Sequence, residues 1–270
     1  MDMIVCHNLT KRFGDLVAVD NLSLCVGAGE LFGFLGPNGA GKTTTIKMIT
    51  GLLKPTSGTA IVGGYDIQQH TLQAKSILGY IPDNPFLYEK LTGREYLHFM
   101  ADLYSVGHKD RARRIEDLLR LFELEEKGND LIQGYSRGMR QKISLAGALL
   151  HEPKVIFLDE PTVGLDPKSA RTMKDILREL CRRGTTVFVS THILEIAEQM
   201  CDRVAIVNKG RLVASGTMEE LRAAVAANAS GAHRNGDTSG PDNTDKKSLE
   251  DIFLELTGGA EYANLIQYLG

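Results

Sequence analysis

The chain has no long apolar run, no excess of either charge, no paired-cysteine motif and few aromatic residues. Strand-like stretches such as VIFL at 155–158 and VAIV at 204–207 stop after four residues, far short of the ~20 that a membrane-crossing helix needs. The 270 residues therefore carry no helical membrane span. With 31 Lys and Arg against 34 Asp and Glu, the formal charge is −3, so no basic excess argues for a phosphate backbone and nucleic acid is not an expected partner. The start MDMIVCHNLTKRF has no apolar core of the secretory kind, so secretion is not expected. Cys6, Cys25, Cys181 and Cys201 show no CxxC spacing and no clustering with His, which predicts buried free thiols in a reducing cytoplasm. At 43% hydrophobic and 6% aromatic, the composition is that of an ordinary globular chain.

Glycine is present in excess, 28 of 270 residues. Around it the chain divides by pattern. From Ile4 to Leu35, short β-rich runs (MIVCHNL, LVAV, LSLCV, LFGFL) separated by turn residues predict a small antiparallel sheet. From about Thr44, apolar strands alternate with amphipathic helices: VIFL, a helix after Asp166, TVFVS, a helix after His192, VAIV. Short buried strands joined by helices predict a parallel sheet covered on both faces. Met173, Ile176, Leu177 and Leu180 follow i, i+3, i+4, i+7, as do Ile193, Ile196, Ala197 and Met200. Residues 92–124 read as wholly helical, opened by a Thr92/Glu95 capping box. The whole segment of about 84–148 reads as a helical insertion. The basic cluster Lys109 to Arg114 on it, followed by acidic Glu123 to Glu126, reads as a solvated helix face. Beyond 217, residues 223–247 hold Val225 as their one large aliphatic side chain, which predicts a mobile segment. Leu249, Ile252, Phe253 and Leu256 then predict a short docked helix at about 248–257 within a 218–270 extension.

Six glycines (Gly27, Gly29, Gly33, Gly36, Gly39, Gly41) fall within fifteen residues, ending in GPNGAGKTT. This fits GxxxxGK[ST] after a strand and before a helix, which is the context of a phosphate-binding loop. Gly36, Pro37, Asn38, Gly39, Ala40 and Gly41 would turn backbone N–H groups toward phosphate oxygens at a helix N-terminus. Lys42 would reach the β- and γ-phosphates, Thr43 would offer its hydroxyl to Mg²⁺, and Thr44 continues the cradle. In VIFLDEP, Asp159 and Glu160 stand at the end of a buried strand with side chains on opposite sides. Asp159 can hold Mg²⁺ through water, and Glu160 can face the water that attacks the γ-phosphate.

YSRGMRQKISLAGALL (135–150), followed by VIFLDEPTVGLDP and TVFVSTH, resembles the ATP-binding subunit of ATP-binding cassette (ABC) transporters over roughly residues 1–217. The resemblance implies a P-loop NTPase of α/β class. A mainly parallel central sheet, an N-terminal antiparallel β subdomain and a helical subdomain insertion are its expected parts. It implies a cassette dimer, identical or mixed, with each ATP held between one phosphate loop and the other subunit's signature segment. Ser136 and Gly138 match the signature serine and second glycine; Tyr135, Arg137 and Met139 replace the family's usual Leu, Gly and Gln. Ser136 also suits a simple helix cap. Asp166 matches the aspartate that couples the two sites, and equally suits an N-cap before Pro167. His192 matches the switch histidine at the γ-phosphate.

Asp83 falls where the family has a Mg²⁺-sensing glutamine near the membrane partner, within IPDNP, which by itself reads as a turn. Phe13 matches the aromatic stacked on adenine, although a core position suits it nearly as well, and Val19 lines the base's other side. The implied activity is ATP hydrolysis with Mg²⁺, driving a separate integral membrane permease from the cytoplasmic face of the cell membrane. LTGREYL and YSRGM resemble the efflux-type (ABC-2) branch, which implies export. A non-transport ABC ATPase acting on nucleic acid or ribosomes is the alternative. DNA-repair members carry long coiled coils between phosphate loop and signature, and the stretch between Thr44 and Ser136, 92 positions apart, shows no sustained heptads. A GTPase is disfavoured because Asn208-Lys209 runs into Gly-Arg rather than completing NKxD.

Overall fold

A computed structural model describes residues 1–163, 165–232 and 248–257. The chain opens with strands β1 (Asp2–Phe13), β2 (Leu16–Gly27) and β3 (Leu31–Leu35), then helix α1 (Lys42–Ile49). Next come β4 (Ser57–Val62), β5 (Tyr65–Asp66), α2 (Thr71–Ser76) and β6 (Leu78–Ile81). A helical stretch holds α3 (Gly93–Leu103), α4 (His108–Leu121) and α5 (Arg137–Leu149). The α/β alternation returns with β7 (Val155–Asp159), α6 (Pro167–Arg182), β8 (Thr186–Thr191), α7 (Leu194–Met200), β9 (Arg203–Asn208) and β10 (Arg211–Gly216). Helices α8 (Met218–Ala232) and α9 (Leu249–Thr257) follow.

Among the described residues the strands form two sheets. The N-terminal one, ordered β2-β1-β4-β5, is antiparallel; the central one, ordered β10-β9-β3-β8-β7-β6, is parallel except for β10. Every residue of β3, β7 and β8 is buried, so both faces need cover. Alternation divides the strands between two cores. Phe32, Phe34, Val155, Phe157 and Phe188 pack with Ile46 and Met48 of α1 and with Ile4 and Leu22 of the N-terminal sheet. Leu31, Ile156, Leu158, Val187 and Val189 pack on the opposite side with the helical insertion and α6. The LFGFL run is thus not part of the antiparallel sheet in which its spacing placed it. It is β3, hydrogen-bonded in parallel to β8 and β9, because its unbroken apolar character demands burial on both faces.

Residues 92–124 are not wholly helical but hold two helices, each followed by a turn. The Thr92/Glu95 capping box starts α3, whose end is closed by Ser105 at φ 54° and by Val106 N–H donating to the Ala101 carbonyl at 2.8 Å. The same closure ends α4, with Glu123 at φ 57° and Leu124 N–H on the Leu119 carbonyl at 2.8 Å. Neither left-handed position is a glycine, so the usual stop signal is missing from the sequence. The basic cluster is matched by acids: Arg111 with Asp102 at 2.6 Å, Arg113 with Asp110 at 3.4 Å, Arg114 with Glu152 at 3.2 Å.

Helix α8 runs through Ala232, so the stretch expected to be mobile from 223 begins in a helix. Val225 and Leu221 anchor it in an apolar cluster with Leu35, Val204 and Ile206. Residues 233–247 lie outside the described ones. Leu249 and Ile252 of α9 are buried in that cluster, and Phe253 and Leu256 pack on it. Cys6 is buried, and burial pushes the Cys181 and Cys201 thiols up to about 12; Cys25, by contrast, is exposed at the rim of β2.

Candidate functional site

The site forms at the carboxyl ends of three neighbouring strands, β3, β8 and β7, where parallel α/β sheets commonly hold ligands. Register brings the parts together. Leu35 pairs with Thr191, and Asp159 pairs with Ser190, so the loop after β3, the residues around His192 and the Asp159-Glu160 pair emerge side by side.

The loop from Gly36 to Gly41 passes from β3 into α1. Gly41 sits at φ 98°, and a Cβ there would lie 2.5 Å from the Ala18 carbonyl oxygen. The same addition at Gly36 would lie 2.5 Å from the Val207 carbonyl oxygen. The cradle thus has no room for side chains at its two ends, and it leads directly into the start of α1, where the unpaired N–H groups of a helix N-terminus favour an anion. Lys42 folds back over the loop: its Nζ donates to the Gly36 carbonyl at 2.8 Å and to the Pro37 carbonyl at 3.3 Å.

Glu160 stands at the centre of a chain of contacts. Its Oε1 lies 3.3 Å from Lys42 Nζ, and its Oε2 lies 3.0 Å from His192 Nδ1. Oε1 is buried and has no aligned hydrogen-bond donor. Glu160 also holds a left-handed backbone at φ 52°, a conformation that costs a β- or α-preferring residue energy and often marks a working position. Asp159 points the other way, as strand alternation requires. The Thr43 hydroxyl donates to its Oδ2 at 2.7 Å and the Ser190 hydroxyl donates to its Oδ1. Asp159 is 3% exposed, so these donors are what make a buried carboxylate tolerable. Ser190, absent from the residues singled out by the sequence, also receives the Glu160 N–H at 3.2 Å. The available signal was the final serine of TVFVS, but only strand register sets it opposite Asp159.

A cleft of about 650 Å³ opens over this group, lined by Phe13, Val17, Ala18, Pro37 to Thr44, Asp83, Asp159 and Glu160 among others. Phe13 is half-exposed with Lys11 Nζ 5.1 Å from its ring centre, so it is a wall of the cleft and not a core residue. Val19 does not line the cleft as expected: it is fully buried among Ile4, Leu22 and Phe34, and Val17 and Ala18 line the cleft in its place. Only the turn end of β2 reaches the cleft, and Val19 joins the buried side of Leu22 and Leu24 through an irregularity in the strand at Asn21, which holds φ 53°.

Ser136, Gly138 and Asp166 do not line this cleft. Ser136 is exposed and caps α5, its Oγ accepting from Met139 N–H at 3.3 Å. Asp166 is exposed and caps α6. The Ser169 hydroxyl donates to it at 2.7 Å and the Ser169 N–H at 3.0 Å, and these bonds hold its carboxyl below the usual range. Asp83 reaches the cleft with its carboxylate 3.2 Å from an Arg137 guanidinium nitrogen. The donor set fits Mg²⁺ and a polyphosphate: hard oxygens from Thr43 and Asp159, a lysine, and a glycine cradle that excludes side chains.

Residues 19–163 match the family model described as ABC transporter. The chain is 39% identical to the linearmycin resistance ATP-binding protein LnrL of Bacillus subtilis (strain 168), covering 81% of this chain and 70% of that one. It is 41% identical to the daunorubicin resistance ATP-binding protein DrrA3 of Streptomyces coeruleorubidus, covering 82% and 70%. A solved structure described as the ATP-binding subunit of an ABC transporter superposes with a TM-score of 0.83 at 31% identity, covering 94% of this chain and 99% of that one.

Proposed function

The chain belongs to the ABC transporter family as an ATP-binding subunit that hydrolyses ATP, and from that premise we propose which of its residues act and with what partners. The observation that carries the reading is the contact chain Lys42–Glu160–His192 beside the Thr43–Asp159 pair, all at the ends of adjacent parallel strands.

Glu160 is the general base. It accepts a proton from a water placed in line with the γ-phosphate, and the left-handed backbone at φ 52° turns its carboxylate toward Lys42 and His192. Lys42, now resting on loop carbonyls and on Glu160, exchanges these for β- and γ-phosphate oxygens. That exchange also frees Glu160 Oε1 for water. His192 orients Glu160 through Nδ1 and stabilises charge that builds on the γ-phosphate. Thr43 and Asp159 would hold Mg²⁺, with Asp83 at the cleft's rim. Bound there, the ion supplies positive charge to the phosphate oxygens. The face of Phe13 takes the adenine ring by stacking, a contact worth about 1–3 kcal/mol per base.

Two such cassettes, identical or not, would close on two ATP molecules, with Ser136 and Gly138 of one completing the cleft of the other and Asp166 joining the two sites. This accounts for two N-terminal helix caps that sit away from the chain's own cleft. The likeness to a solved ATP-binding subunit of an ABC transporter supports a separate membrane subunit as the permeation path, against which this one docks on the cytoplasmic face; no described helix is long and apolar enough to cross a membrane. The drug-resistance names of the relatives support export as the direction. Action on nucleic acid or ribosomes is not favoured, since these relatives are named for resistance and the matching family model is that of ABC transporters.

The test is Glu160→Gln, which keeps the shape and removes the base. With ATP and Mg²⁺ the variant should lose turnover and run as a dimer on gel filtration. A monomer under those conditions refutes the sandwich.

A further inference from the structure

Two positions at which this chain departs from the family pattern touch one another. Asp83, in the turn after β6, replaces a glutamine, and Arg137, the first residue of α5, replaces a glycine. They are 54 residues apart in sequence, yet an Arg137 terminal nitrogen lies 3.2 Å from Asp83 Oδ1. Both side chains are about half-exposed, at 53% and 45%, so the pair adds little to stability. Its placement matters more than its strength. Asp83 lines the cleft over the phosphate loop, and Arg137 adjoins Ser136.

A carboxylate in a cleft built for a polyphosphate repels its ligand unless a cation accompanies it. Arg137 is that cation. The neighbouring chain is tied across the same seam: Arg140 meets Glu89 at 2.7 Å, Lys90 meets Gln133 at 3.0 Å, and Ile132 N–H donates to the Leu91 carbonyl at 2.9 Å. The loop after β6 and the segment leading into α5 are therefore one linked body. Of these links, the Asp83–Arg137 pair is the one with an end in the cleft.

We propose that Arg137 is a positioning residue that acts through Asp83: it neutralises the carboxylate in the chain's own nucleotide cleft and ties that cleft to the signature segment. This rests on the site reading above. In a cassette dimer, the one ion pair then connects the nucleotide in this chain's cleft with the nucleotide that Ser136 reaches in the opposite subunit.

The experiment is a double-mutant cycle on the full chain. It reads the Kd of a fluorescent ATP analogue in EDTA, so that any use of Asp83 by a metal does not enter. Arg137→Ala should weaken binding about threefold to tenfold, an effect that shrinks as salt is raised. Asp83→Asn should tighten binding, and in that background the loss from Arg137→Ala should fall below twofold. Arg137→Lys should recover most of the affinity, which a role in shape alone would not allow. Melting temperatures should agree among the variants, since the pair is exposed. An equal loss from Arg137→Ala in both backgrounds, or no loss in either, overturns the proposal. Lys42→Ala serves as the separate control: if it leaves binding unchanged, the phosphate-loop reading itself fails, whatever the cycle gives.

Discussion

Ser190→Ala removes one oxygen from the least exposed part of the site. Ser190 is fully buried and its hydroxyl donates to Asp159 Oδ1, while Asp159 is itself only 3% exposed. A hydrogen bond to a buried charged group is worth about 1.5–3 kcal/mol, and here its loss leaves a carboxylate oxygen without that donor. Two contacts limit the damage: Thr43 still donates to Oδ2 at 2.7 Å, and the Glu160 N–H keeps the Ser190 carbonyl at 3.1 Å. The net loss should therefore be about 1.5–3 kcal/mol, which for a chain of this size corresponds to a fall of roughly 3–12 °C in Tm. Thermal unfolding without nucleotide reads the stability. ATP turnover against Mg²⁺ concentration reads the second consequence, because an Asp159 that is free to rotate should require more Mg²⁺ for half-maximal rate. The coupling is checked by pairing Ser190→Ala with Asp159→Asn, in which the Ser190 contribution should shrink. A Tm within 1 °C of the parent, together with an unchanged Mg²⁺ requirement, would refute the account of Ser190 as the donor that fixes Asp159.

Three further outcomes are expected. His192→Ala should keep ATP binding and lose about 10²–10³-fold in turnover, the scale of losing one preorganised donor; steady-state kinetics near the parent's rate would remove His192 from the chemistry. Gly41→Ala forces a Cβ to 2.5 Å from the Ala18 carbonyl oxygen at φ 98°, whereas Gly39→Ala, at φ 81°, meets no atom within 4 Å. Both carry backbone strain of about 1–3 kcal/mol, so urea unfolding should show Gly41→Ala as clearly the less stable of the two. Burial holds the His151 ring below its ordinary value of 6.5, with the ring stacked on Tyr104 at 3.8 Å between centres. The unfolded chain then takes up a proton before the folded one does. Stability should fall as pH drops through 6.5 toward the depressed folded value, and His151→Phe should flatten that part of the Tm-against-pH curve.

Much of this protein is written locally. The glycine spacing and the lysine of GPNGAGKTT define a phosphate loop because each residue acts on its own backbone or within one helical turn. The Thr92/Glu95 capping box and the Asp166 cap are legible for the same reason, and so is the stripe of Leu249, Ile252, Phe253 and Leu256. What escaped was set by distant partners. Ser190 became part of the site through the β7–β8 register, and Asp83 met Arg137 across 54 residues. LFGFL went to the central sheet because only there are both its faces covered. Val19 was drawn into the core of the N-terminal sheet beside Leu22, and α3 and α4 were each ended by a left-handed residue, Ser105 and Glu123, with no intrinsic mark of that conformation. The sequence by itself determined which chemistry is present, since motif residues carry their donors and charges with them. The tertiary structure decided which of those groups face each other, because register, burial and ion pairing are properties of two segments at once.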